Sequence, residues 1–235
     1  MSEKAKKHML NNPKIRLQAP CPTAKGKYST LAWDVWMNNP RFVVATNDPT
    51  MMTKERGFGR IQAAMEPPTF MVFLELLDQC VASSEAIKFK VANSGKDKNG
   101  GFDPVPTSDL HVGRDAEGCI FVSVVSKEEG WPVIKFVFSA PDQRFHKVYH
   151  GNGTEFTKSE ISVIYAKAYR KLLEEAMMNV LDTHYVEPPP YVPGNKGGYG
   201  APQGGGQRQG GGYQQSAAAG DGGAGLDAEF SDLVF

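Results

Sequence analysis

Cysteine is scarce in this sequence, and the common catalytic signatures are missing. Three cysteines occur in 235 residues, Cys21, Cys80 and Cys119, widely spaced and with no Cys-x-x-Cys. An odd, scattered set argues against a disulfide framework or a zinc knuckle and leaves reduced structural thiols. No Gly-x-x-x-x-Gly-Lys-Ser/Thr, Gly-x-Ser-x-Gly or His-Glu-x-x-His is present, so phosphate-loop, serine-hydrolase and zinc-protease chemistry lack their motifs. His146 and His150 are four apart, a spacing that gathers ligands on a helix. Phe145, Gly151 and Gly153 favour strand or loop there, and no carboxylate or thiol pattern completes a site. Asp103, Asp109 and Asp115 lack the ligand order of a calcium loop. The expectation is a non-enzyme without cofactor or metal. No apolar run approaches the roughly 20 residues of a membrane span, and no secretory signal pattern is visible. A soluble cytoplasmic protein without a membrane partner is expected.

Net charge is also missing, since 26 Lys and Arg balance 26 Asp and Glu. The balance hides an uneven distribution. Residues 1–60 carry eleven bases against four acids, whereas residues 187–235 carry two bases against five acids. A basic front and an acidic end make the chain a charge dipole. The end is also poor in core-forming residues. From Pro188 to Gly225 there are 14 glycines and 5 prolines in 38 residues, too little apolar surface to offset ordering entropy.

What remains reads as one domain. Residues 1–14 form a flexible basic amino terminus, 15–186 the folded domain, 187–220 a Gly/Gln/Pro-rich disordered linker, and 221–235 an acidic tip. Strands are expected at Lys27–Met37, Arg41–Thr46 and Phe58–Met65, with Asn38-Asn39-Pro40 and Asn47-Asp48-Pro49 as turns. Pro67-Pro68 opens a helix over Thr69–Ala82, with Phe70, Phe73, Leu74, Leu77 and Val81 as its buried stripe. Ile87–Val91 alternates as a short strand with one wet face, and Asn93–Asp109 reads as a long loop. Cys119–Val125 and Val133–Ser139 are the clearest strands, joined through Gly130-Trp131-Pro132. Thr157-Lys-Ser-Glu160 is a capping box that starts a helix from Lys158 to about Asp182. This order predicts a mainly β fold with helices. It matches a five-stranded oligonucleotide-binding (OB) barrel with a helix between strands 3 and 4, an additional carboxy-terminal helix and a disordered tail.

The basic front is interleaved with aromatics: Lys14, Arg16, Lys25, Lys27, Tyr28, Trp36, Arg41, Phe42, Lys54, Arg56, Phe58 and Arg60. Single-strand binding needs this mixture, cations for the phosphates and flat rings for the bases. Strand alternation sorts the rings. Ser29, Leu31, Trp33 and Val35 share an apolar face, so Trp33 belongs to the core, and Tyr28 and Trp36 to the other face. Phe42 fits either core or platform. Lys54-Glu-Arg-Gly-Phe-Gly-Arg60 places one aromatic between two glycines and among three cations. Phe58 either projects onto a base or tucks inward at a bend.

Glu55-Arg56-Gly57-Phe58-Gly59 resembles a segment of the single-stranded DNA-binding proteins of lytic podophages. Those are OB-fold proteins of about this length whose acidic tail ends in phenylalanine. Glu229-Phe230-Ser231-Asp232-Leu233-Val234-Phe235 resembles the tip of bacterial single-stranded DNA-binding proteins, with Val234 in place of proline and fewer acids. The resemblance implies a protein that coats single-stranded DNA in replication, recombination and repair, in a host cytoplasm if phage-encoded. It also implies a tail that recruits polymerase, helicase or primase, and in some phages the host RNA polymerase. Asp227, Glu229 and Asp232 would meet cations around an apolar pocket, and Phe230, Leu233 and Phe235 would enter it. An adaptor that activates transcription through its tail and an RNA-binding protein are the alternatives. Homo-oligomerisation stays open.

The acidic tip can also compete with DNA for the basic front. Removing residues 221–235 is expected to tighten binding to oligo-dT, most strongly at low salt where screening is weakest. Titrations of both chains at two salt concentrations test this; equal affinities at both would contradict it.

Overall fold

A computed structural model of the chain describes residues 8–96, 104–139 and 146–187. The chain divides into two units, Met1–Val186 and Glu187–Phe235. The first holds two four-stranded antiparallel sheets, with strand orders β1-β2-β3-β4 and β5-β6-β7-β8, and two long helices. The mixed fold, dominated by β structure, agrees with the sequence reading. The strand count does not: eight strands lie in two sheets where five were expected, and no single closed barrel is formed among the described strands.

The first sheet comprises β1 (Leu17–Pro20), β2 (Tyr28–Trp36), β3 (Asn39–Ala45) and β4 (Arg60–Ala64). Leu17, Ala19, Leu31, Trp33, Phe42, Val44, Ile61 and Ala63 point one way into the core. Period-two alternation leaves the opposite face to water. The β2–β3 turn needs left-handed backbone at Met37 (φ 47) and Asn38 (φ 64), which is the geometry of a tight hairpin. Asn38 also clasps the end of the domain. Its Nδ2 donates to the Val186 carbonyl at 2.7 Å, and its Oδ1 accepts from the Val186 amide at 2.8 Å.

Helix α1 (Pro67–Ala82) follows β4, entered through Pro67 and Pro68 as expected, and buries Phe70, Phe73, Leu74, Leu77 and Cys80. Val81, assigned to that stripe from spacing, is only partly buried and Cys80 takes its place. Phe42 meets Phe73 edge-on at 4.8 Å between centroids and lies 6.3 Å from Phe70. This aromatic cluster ties the first sheet to the helix.

The second sheet comprises β5 (Ile87–Lys96), β6 (Pro104–Arg114), β7 (Ile120–Ser126) and β8 (Phe136–Val137). The expected Asn93–Asp109 loop is therefore corrected, because most of its described residues continue a long β5–β6 hairpin. Pro104 and Pro106 read as loop residues, since proline donates no ladder hydrogen bond. They fit here because β7 pairs with β6 only from Ser108 onward, leaving one side of the 104–107 stretch without a strand. The expected strand Val133–Ser139 shrinks to two residues in the ladder, although Ile134, Phe136 and Phe138 keep the alternating burial. Strand β1 had no prediction.

Helix α2 (Lys158–Thr183) starts at the expected capping box. The Thr157 hydroxyl accepts from the Glu160 amide, and the Glu160 carboxylate accepts from the Thr157 amide. Its inner face packs on both sheets, with Trp33 5.4 Å and Phe138 5.6 Å from the Tyr169 ring. Arg170 pairs with Asp78 and Glu174, stitching α2 to α1. None of the described helices is long and apolar enough to cross a membrane.

Because Phe42 is wholly buried among rings, replacing it by Ala is expected to cost about 3–5 kcal/mol. A urea unfolding curve measures this, and a loss below about 1 kcal/mol would show that the cluster does not anchor the sheet.

Candidate nucleic-acid interface

The open face of the first sheet is built from the residues that alternate with the core. Across its strands, Gln18, Thr30, Ala45 and Arg60 stand in one row, Ala32, Val43 and Gln62 in the next, and Asp34, Arg41 and Ala64 in a third. Small side chains (Thr30, Ala32, Val43 and Ala45) fill the centre of this face, flanked by Gln18, Asp34, Arg41, Arg60 and Gln62. Tyr28 and Trp36 bound it at the two ends of β2, each 59% exposed, about 26 Å apart by strand rise.

At the Tyr28 end several predicted residues converge. Lys25 and Lys27 lie in the exposed β1–β2 turn. The Thr23 hydroxyl donates to Asp48 at 2.5 Å, and Asn47 Nδ2 donates to the Tyr28 carbonyl at 2.6 Å. These bonds join that turn to the β3–β4 connection. The connection carries Lys54, Arg56 and Phe58 and leads into Arg60 at the start of β4.

The connection closes in three successive left-handed residues, Gly57 (φ 53), Phe58 (φ 57) and Gly59 (φ 68). Left-handed backbone costs a bulky L-residue about 1–2 kcal/mol. Hydrogen bonds hold Phe58 there: its amide donates to the Thr53 carbonyl at 2.8 Å, and the Gly59 amide to the Arg56 carbonyl at 3.0 Å. Gly59 has no room for a side chain, because a Cβ would stand 2.8 Å from the Thr46 hydroxyl. The ring itself is 56% exposed. The inward alternative for Phe58 is thereby excluded. A strained, exposed aromatic among cations is a feature that packing does not require.

The other predicted residues are placed differently. Phe42 is 0% exposed and belongs to the core; a buried ring cannot serve as a platform, so its assignment to the interface is corrected. Arg41 is half-buried, ion-paired with Asp34 across the strands, and donates to Gln62 at 3.0 Å. Its guanidinium lies 5.5 Å from the Trp36 ring centroid, so it orients Trp36 with its charge already matched. Lys14 and Arg16 precede β1, away from the Tyr28 end, and only Lys14 is fully exposed. Asp227, Glu229, Phe230, Asp232, Leu233 and Phe235 lie outside the described residues.

The sequence reading missed a second basic face. Lys88 and Lys90 project from β5 on the side opposite Phe89. Lys90 faces His111 across the ladder, and His111 faces Ser123. Asp109, 2% exposed, holds Lys127 at 2.6 Å and Lys90 at 4.0 Å. The His111 Nδ1 and Ser123 Oγ atoms are buried without hydrogen-bond partners. Burial, reinforced by the Lys88 ammonium, lowers the His111 pKa and keeps its imidazole neutral near pH 7. The Lys-Phe-Lys alternation was the available signal, diluted by the excess of acids over residues 61–186.

One cluster has metal-ligating atoms, Asp115, Glu117 and Cys119, within 4.8 Å of one another. Lys135 holds Asp115 at 2.5 Å and Lys158 holds Glu117 at 2.9 Å. Burial and Asp115 push the Cys119 thiol up, and the two lysines pair with the carboxylates of this cluster. His150 stacks on Phe156 at 3.7 Å and faces Glu160.

Comparison with family models, curated proteins and solved structures gives no match to this chain.

Phe58→Asn should separate presentation from packing, because Asn tolerates left-handed backbone. Stability is expected to stay level or rise by up to about 1 kcal/mol, while affinity for single strands falls. A urea titration and an oligo-dT titration read the two effects; a large stability loss would show that the ring serves the fold.

Proposed function

We propose that this protein binds single-stranded DNA without sequence preference, does no chemistry on it, and recruits replication proteins through its carboxy-terminal tip. The presentation of Phe58 carries the reading. An exposed ring in left-handed backbone, braced by two glycines and set among Lys54, Arg56 and Arg60, suits stacking on an unpaired base with phosphates alongside. Tyr28 and Trp36 extend the stacking surface, and the small side chains at the centre of the face between them leave room for a strand.

The fold is compatible with an elaborated OB-type barrel. Edge strand β1 approaches β8, and edge strand β4 approaches β6 and β7. The Ser108 hydroxyl donates to the Gln62 carbonyl at 2.7 Å across that second seam. Both edges of the first sheet thus meet the second sheet, β1 at the β8 edge and β4 at the inner strands β6 and β7.

Fluorescent oligo-dT, oligo-U and a matched duplex, titrated across a salt series, test the proposal. Oligo-dT is expected to bind tightest, with affinity falling as salt rises. Phe58→Ala should weaken it at least about fivefold, the low end of a lost base stack. Equal binding of duplex and single strands, or none, would overturn the reading, and a preference for oligo-U would turn it toward RNA.

A further inference from the structure

Trp131 has no part in the interface so far. It lies in the connection between β7 and β8, and its ring is only partly covered. The Arg56 guanidinium stands 6.0 Å from its centroid. Gly130, at φ 76, lies beside the same guanidinium: a Cβ there would meet two Arg56 nitrogens at 3.6 Å, an ordinary contact. The indole Nε1 donates to Glu128 at 3.3 Å, which fixes the ring from within its own loop. Pro132 behind it is buried. Two separate loops therefore meet ring against guanidinium.

Arg56 itself is lightly held. Its Nη1 reaches the Met51 sulfur at 3.3 Å, and no carboxylate lies within ion-pair distance of it among the described residues. Its charge is therefore available to a phosphate. Two residues further on is the exposed Phe58 ring. One turn thus carries both an exposed ring and the cation that meets the Trp131 ring. A single strand presents the complementary groups, bases and phosphates. A guanidinium over an indole at an exposed site contributes about two- to fivefold in an equilibrium, less than the roughly fivefold to 150-fold of a base stack.

The geometry points to Trp131 as a second base-stacking subsite for single-stranded nucleic acid, reached from Phe58 across Arg56. This rests on the single-strand reading above. On binding, a base takes the face of the indole that Arg56 covers. The guanidinium moves to the phosphate between the two bases.

Trp131→Ala, Trp131→Phe and Arg56→Ala, each compared with the parent chain in oligo-dT titrations across a salt series, test this. Trp131→Ala should lose at least about fivefold in affinity with the salt slope unchanged, and Trp131→Phe should stay within about threefold of the parent. Arg56→Ala should lower the salt slope by about one contact. In a Trp36→Phe background, the remaining partly exposed indole should quench when oligo-dT binds. That readout does not depend on Trp131→Ala folding. Parent binding with neither quenching nor loss in the Trp131 variants would overturn the subsite and leave the single-strand reading intact. Absence of binding by the parent would overturn both.

Discussion

The burial of Phe42 against Phe70 and Phe73 decides which side of the first sheet is free. A strand has only two faces, so committing Phe42, and with it Trp33 and Leu31, to the core sends Tyr28, Trp36 and Arg41 to the other side. A one-residue slip of β3 against β2 would turn Arg41 inward and expose Phe42, the heart of the aromatic cluster. The hairpin turn at Met37 and Asn38 and the clasp between Asn38 and Val186 hold the register at the end where such a slip would begin. The candidate interface is thus a by-product of a core constraint.

Strain is concentrated where packing has least use for it. Gly57, Phe58 and Gly59 are all left-handed, yet only the glycines accept this conformation readily. Hydrogen bonds to Thr53 and Arg56 and the tight seat of Gly59 over-determine the turn. The surrounding structure thereby sustains a ring in water that a relaxed turn would not place there. The second basic face is of a different kind. Lys88, Lys90 and Lys127 surround buried polar groups that have few partners of their own, so its character is electrostatic, whereas the first face is built on rings.

Much of this was legible in the sequence. Period-two alternation separated Trp33 from Trp36 correctly. The prolines at 67 and 68 and the Thr157–Glu160 box located both long helices to within two residues. Local rules failed where a partner decides the outcome. Pro104 and Pro106 obey the loop rule and still lie in a strand, because that stretch pairs on one side only. Strand β1, four residues long, is too short for its Leu17/Ala19 alternation to stand out, and it exists because β2 offers it an edge. Val133–Ser139 alternates like a strand yet finds only two ladder partners. The approach of Arg56 to Trp131 joins residues 75 positions apart, a relation that no spacing rule contains.

The β5 lysines have a consequence for how copies of the protein coexist. Strand β5, ten residues long, pairs only with β6 among the described strands and so forms an edge of its sheet. A long edge is a template for another chain's backbone, and crowding raises that hazard. Lys88 and Lys90 put positive charge at two alternate positions in its first half. Two such edges brought together would oppose like charges at close range. The alternation that gives the second face its potential therefore also discourages edge-to-edge sheet growth, and colloidal stability is built into the same residues.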